Sequence, residues 1–178
     1  MTDQEHPPVV LVSVDDVVLE QLVHAATTDA SADEVTAPVT AGETWTPGRV
    51  AWLRNFHRDR RAGLDGPTGE ATWAVVIDKS VVGSVRLKRS DEPGVLETGA
   101  WLTRRARGRG VGRAAMAAVL RQAAALGAVG VQADTTAGNA AAWGALRRLG
   151  FTLAPAEDGQ GVHALILFGS PDAVTEHP

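Results

Sequence analysis

The chain has 178 residues, 44% hydrophobic and 21% charged, with no Cys, no Tyr, five Trp, three Phe and a formal net charge of −4. Such a composition suits one domain with a substantial core. It excludes a disulfide framework, a thiol nucleophile, Cys-ligated zinc or iron–sulfur clusters, and any phenol acting as a general acid.

Residues 8–13 (PVVLVS) read as a first strand, after which Asp15 or Asp16 can cap a helix carrying Leu19, Leu22, Val23 and Ala26 at helical spacing. The stretch 27–43 is rich in Thr, Asp and Ala and reads as a mobile loop. Thr46-Pro47 is an N-cap followed by Pro at the first helical position, opening a second helix through Val50, Leu53 and Phe56. Three glycines and a proline in 61–70 break that pattern. Three β-rich runs follow at 72–77 (TWAVVI), 81–87 (VVGSVRL) and 95–102 (VLETGAWL), separated by turn residues as in an antiparallel meander. Met116, Val119, Leu120 and Ala123 mark a helix stopping at Gly127, and 129–133 is a short strand. Asn139 then caps a helix with Ala142, Leu146 and Leu149, which Gly150 ends. Strands at 151–153 and 162–168 close the domain, and the last seven residues read as a frayed tail. This order predicts an α/β fold with a mixed sheet and at least one parallel crossover. We expect a single domain over 1–178, its core at about 8–168. The apolar runs at 7–14 and 114–120 are far shorter than a membrane span, and the acidic start lacks the basic stretch of a signal peptide. The expected compartment is the cytoplasm.

Charge is distributed unevenly. Residues 1–48 carry nine acidic side chains and no Lys or Arg, whereas 104–113 hold five arginines: Arg104, Arg105, Arg107, Arg109 and Arg113. Arg and Gly packed into one short stretch of an acidic protein point to a local anion, against the plainer reading of a solvated basic loop. Arg107-Gly108-Arg109-Gly110-Val111-Gly112 lies between a strand and a helix. Glycines there let the backbone approach a ligand, and the helix N-terminus adds its positive dipole end, which suits a phosphate or diphosphate. The spacing fits neither a Walker A loop, which needs a Lys, nor a GxGxxG fingerprint, since residue 113 is Arg.

Arg107-x-x-Gly110-x-Gly112 resembles the acyl-CoA pyrophosphate motif of the GNAT (GCN5-related) N-acetyltransferases. Asn139-Ala140-Ala141-Ala142…Leu146…Leu149-Gly150-Phe151 resembles the same family's Asn-x-x-[Ser/Ala]…Leu-Gly-Phe helix. Glu97-Thr98-Gly99-Ala100-Trp101-Leu102 is similar to a strand of the branch containing ribosomal-protein alanine N-acetyltransferases. The resemblance covers about 8–168 and is close over 95–152. It implies a mostly antiparallel sheet with a central, splayed parallel strand pair and about four helices.

The resemblance further implies acetyl-CoA as acyl donor, no metal, and direct transfer of the acetyl group to a primary amine. Pantetheine would bond to backbone at Trp101, Leu102 and Thr103, the diphosphate would sit on the amides of Arg107, Gly108, Arg109, Gly110, Val111, Gly112 and Arg113, and Asn139 would face the pantetheine. Asn139 also reads as a plain helix cap. The chain departs from the family where many members carry a Tyr acid: Leu146 stands there, and Ala142 replaces the Ser found in the related branch. A thiol is a good leaving group, so departure unassisted by a side chain is chemically tolerable. For the base, Glu97 and Asp134 compete, because an ammonium must lose a proton at pH 7. The plain alternatives are a strand residue paired with a basic neighbour for Glu97 and a loop cap before Thr135-Thr136 for Asp134.

His24, His57 and His163 stand apart in the sequence without metal-ligand spacing, and His57 reads as a surface helix residue. Trp45 and Trp52 flank a region that relatives use as an acceptor wall, where an indole can hold a cation. The acidity of 1–48 favours a cationic acceptor: a protein N-terminus, a polyamine or an amine-bearing antibiotic. No membrane or nucleic-acid partner is expected, and a homodimer is compatible with the sequence. Two other readings stay open: a CoA-binding fold without catalysis, and a nucleic-acid-binding module built on the Arg/Gly loop.

Overall fold

The computed structural model describes residues 8–37, 42 and 44–169. The first strand, β1 (Val10–Ser13), leads into α1 (Asp16–Asp29), whose cap is Asp15: its carboxylate accepts the Val18 N–H at 2.8 Å. Part of the expected loop 27–43 is instead ordered. Residues 27–29 complete α1, and a one-turn helix, α2 (Ala32–Val35), follows with a reciprocal Ser31/Glu34 capping box. Ala30, Ala32 and Thr36 are buried there, which the polar composition conceals. The rest of that stretch, 38–41 and 43, lies outside the described residues, as does 170–178, where the frayed tail is expected.

Thr46 caps α3 (Pro47–Asp59) as its Thr-Pro start predicts. The meander follows as β2 (Glu70–Ile77), β3 (Ser80–Arg89) and β4 (Val95–Leu102), with β2 beginning at a buried Glu70 inside the stretch read as irregular. Asp78 and Lys79 make the two-residue β2–β3 turn with φ of 47° and 66°, the left-handed values of a type I′ turn. Beyond β4 come α4 (Val111–Ala125), β5 (Gly130–Thr136), α5 (Ala140–Arg148), β6 (Thr152–Pro155) and β7 (Gly161–Leu167).

The seven strands form one sheet in the order β1-β2-β3-β4-β5-β7-β6, antiparallel except for β4 and β5. Helices cover its two faces unequally. On one face, Val111, Ala115, Val119 and Ala123 of α4 and Leu146 of α5 pack against Val75, Val85, Leu87, Val131 and Ala164. The four-residue repeat on α4 with alternating alanines brings that helix close to the sheet. On the other face, Leu19, Leu22, Val23 and Ala26 of α1 and Leu53 of α3 pack on Ala74, with Val76, Val81 and Trp101 half-buried beside them. Each fully buried Leu or Val there contributes about 1.5–3 kcal/mol relative to exposure. No helix among the described residues is long and apolar enough to cross a membrane.

Candidate functional site

The parallel pair β4 and β5 is joined for only a short distance. Val95, Leu96 and Glu97 pair with Gly130, Val131 and Gln132, after which both strands continue without pairing to each other. Each keeps its other neighbour, β3 for β4 and β7 for β5. A gap therefore opens beyond Glu97, and the backbone groups of β4 that face it have lost their strand partner. Thr103 N–H donates to Val82 C=O at 2.8 Å, which turns odd-numbered backbone groups toward β3. By strand alternation, those of Thr98, Ala100 and Leu102 turn toward the gap. Of the three residues expected to bond pantetheine, only Leu102 thus faces it. Its carbonyl already accepts from Arg107 Nε and Nη2 at 3.1 and 2.9 Å.

The gap leads to the N-terminus of α4. The side chains of Asp15, Thr46 and Asn139 cap α1, α3 and α5, but α4 begins at Gly110, with φ +76° and no side-chain cap. Gly108 also has a positive φ, +70°, so both positions need glycine for backbone reasons alone. The first intrahelical bond runs from Ala114 N–H to Gly110 C=O, leaving the amides of Val111, Gly112 and Arg113 without helical acceptors. No described acidic side chain lies within ion-pair distance of Arg104, Arg105, Arg109 or Arg113. Arg107 differs, because Glu34 of α2 holds its guanidinium at 2.9 and 3.1 Å. That hydrogen bond keeps the Glu34 carboxyl below its ordinary range.

The candidate bases share one sheet face, the one left open beside α1 and α3. Glu97 Oε1 accepts from Arg86 Nη2 at 2.9 Å, and Arg86 Nη1 also donates to the buried Glu70 at 3.3 Å. Gly99 makes this reach possible, since a Cβ there would lie 2.9 Å from Arg86 Nε. The plain reading of Glu97, a strand residue with a basic partner, thus holds in the structure. Asp134 is no loop cap: β5 runs on to Thr136, and Asp134 lies opposite His163 on β7. His163 Nδ1 donates to Asp134 Oδ1 at 2.8 Å, so this histidine is not isolated. At the usual acid positions, Leu146 is buried in the core and Ala142 sits in the first turn of α5, its N–H donating to Asn139 Oδ1 at 3.1 Å.

Residues 13–152 match the model of the acetyltransferase (GNAT) domain. The chain belongs to the GNAT acetyltransferase family. Solved structures similar to it include a probable acetyltransferase (18% identity, TM-score 0.70, covering 92% of this chain and 94% of that one). RimL, a ribosomal L7/L12 alpha-N-protein acetyltransferase solved in complex with coenzyme A, is 16% identical with TM-score 0.66, covering 90% of this chain and 94% of that one. A putative ribosomal-protein-serine acetyltransferase from Vibrio cholerae is 15% identical with TM-score 0.67, covering 94% and 95%. No curated protein matches the sequence.

Around this GNAT core, the acidity of the first 48 residues is answered in part, and one expectation, for His57, is corrected. Asp16 pairs with Arg61 at 2.7 Å, Glu20 with Arg54 at 2.8 Å, Asp33 with Arg49 at 2.7 Å and Glu34 with Arg107. Hydrogen bonds from Arg61 and Arg54 hold the Asp16 and Glu20 carboxyls below their usual range. Four of the nine carboxylates of that segment are thereby engaged within the fold. His57, expected at the surface, is 1% exposed, and burial pushes its pKa down to about 4. Its Nδ1 lies 2.9 Å from Thr72 Oγ1. Trp45 donates its indole N–H to Ala30 C=O at 2.9 Å, and Trp52 stacks on Phe56, whose ring carries Arg60 at 3.7 Å. The aromatic cluster already holds a cation of its own. No group of three or more His, Asp or Glu suited to a metal occurs among the described residues.

Proposed function

We propose that this chain moves an acetyl group from acetyl-CoA directly to a primary amine. The observation that carries the reading is the uncapped, glycine-started N-terminus of α4, flanked by Arg109 and Arg113, which meet no described carboxylate, at the mouth of the gap between β4 and β5. Amides 111–113 and the loop 108–110 supply donors for a diphosphate, and Arg109 and Arg113 supply charge. The pantetheine would then lie in the gap, taking the backbone groups of Thr98 and Ala100 and the side-chain amide of Asn139, whose Oδ1 is committed to the helix cap. The thioester would reach the open sheet face, where Glu97 and Asp134 offer carboxylates to the incoming amine. The missing Tyr and Ser favour a second reading, CoA binding without catalysis.

A thermal-shift titration with acetyl-CoA, followed by mass spectrometry of a peptide with a free N-terminal Ala, spermidine and an aminoglycoside, separates the two. The expected result is stabilisation by acetyl-CoA and a mass gain of one acetyl group on at least one amine. Stabilisation without any acetylated product supports the binding-only reading. No shift with acetyl-CoA overturns both.

A further inference from the structure

We infer that His163, oriented by Asp134, takes the proton from the attacking amine, a role that rests on the acetyl-transfer reading above. The geometry begins with the sheet register. Glu97 pairs with Gln132, the last joined position of β4 and β5, and Asp134 stands two residues further along β5 on the same face. It therefore occupies the lip of the gap where the two strands have parted. His163 faces Asp134 from β7, about 4.8 Å behind that lip by strand spacing. Its Nδ1 is fixed by the 2.8 Å bond to the carboxylate, which leaves Nε2 as the basic atom of a side chain that is 38% exposed.

The surroundings of the ring favour this assignment. Opposite His163 on β6 is Ala154, and its same-face neighbours on β7 are Gly161 and Leu165. Asp134 is the titratable group that faces it, with Glu97 one strand further off and already bonded to Arg86. The Glu97 carboxylate is already engaged by the Arg86 guanidinium, whereas the His163 imidazole, held through Nδ1, keeps its second nitrogen for proton transfer. In the proposed step the amine nitrogen bonds to the thioester carbonyl carbon, the C–S bond breaks, and the amine proton passes to His163 Nε2 directly or through one water. The imidazolium then returns that proton to the CoA thiolate. One residue thus supplies both the base and the acid that Leu146 and Ala142 do not.

The test compares wild type with His163→Gln, Asp134→Asn and Glu97→Gln, following CoA release from pH 5.5 to 9 with acetyl-CoA and the amine that supports turnover. His163→Gln is expected to lower kcat about 100-fold, lose the acid limb of the pH profile and leave KM for acetyl-CoA unchanged. Asp134→Asn is expected to lower kcat about tenfold and leave KM for acetyl-CoA unchanged, because the ring loses the partner that orients it. Turnover within about threefold of wild type and an intact acid limb in His163→Gln overturn the proposal, as does loss of the limb in Glu97→Gln alone. Wild type that acetylates no amine overturns the acetyl-transfer reading and the base role with it. Independently of any acceptor, 15N–1H NMR reads the tautomer: Nδ1–H with a bare Nε2 at pH 7.5 is required, and Nε2–H overturns the proposal.

Discussion

Two arginine-bearing segments of this chain use the same side chain in opposite ways. On and just after α3, Arg49, Arg54, Arg60 and Arg61 meet Asp33, Glu20, Glu70 and Asp16 within 2.6–2.8 Å. At the start of α4, Arg109 and Arg113 meet no described carboxylate, and the helix they flank lacks a side-chain cap. The first set ties α1, α2 and β2 to α3 and spends its charge inside the fold. The second leaves positive potential, bare amides and positive-φ glycines in one place, an arrangement that costs stability unless a ligand completes it. Arg107 belongs to both sets: its guanidinium clamps Glu34 and the Leu102 carbonyl and so fixes the loop on which the others stand.

The contrast breaks most sharply by charge reversal. Replacing both Arg109 and Arg113 by Glu is expected to raise KM for acetyl-CoA roughly 100-fold, about tenfold per reversed contact. The thermal midpoint without ligand should hold or rise, since unpaired cations are removed. Arg54→Ala on α3 should do the reverse: a small loss in thermal midpoint with KM unchanged, because an exposed pair with Glu20 is screened by solvent. Equal effects of the two changes on KM, measured by initial rates across acetyl-CoA concentrations, would erase the distinction.

A second effect, on stability rather than binding, isolates the closed side. His57 has a pKa of about 4 in the fold against an ordinary value of 6.5, because burial resists its charge. The unfolded chain therefore takes up a proton that the native state refuses. The stability this neutral imidazole provides is full above about pH 6.5 and falls as pH drops toward 4, by about 3 kcal/mol at most. Urea midpoints from pH 7.5 to 4.5 should decline more steeply in wild type than in His57→Asn, although the variant starts lower. Parallel slopes would mean that another group titrates.

Much of this fold was readable in advance, and the parts that were not share a cause. The meander, the caps at Thr46 and Asn139 and the Arg/Gly loop are local, each written within a few consecutive residues. The ion pairs are not: Glu20 and Arg54 are 34 residues apart, Glu34 and Arg107 73 apart, so nothing within the acidic first quarter reveals these partners. The Asp134–His163 bond spans 29 residues and depends on the β5–β7 register, which no local signal specifies. β5 itself outran its apolar run, because Asp134 and Thr136 lie on the open face where polar residues cost nothing. His57 follows helical spacing with Leu53 on α3 and is buried with it, so periodicity carried a signal that residue type overrode.

The smallest expected effect sharpens the comparison at the boundary between the two regions. The β2–β3 turn places Asp78 and Lys79 at positive φ, a conformation that disfavours any residue with a Cβ and that natural type I′ turns usually fill with Asn-Gly. Lys79 and Arg109 line the same groove of about 1110 Å³, with Asp16 and Glu20 also in its walls. Lys79→Gly relieves the φ of 66° while enlarging the freedom of the unfolded chain, so the net gain is about 0.5–1 kcal/mol, seen as a rise in urea midpoint. It also removes one cation from the groove. An unchanged KM for acetyl-CoA would place the donor's charge recognition on the arginines of the α4 loop, while a rise in KM would extend it to the hairpin.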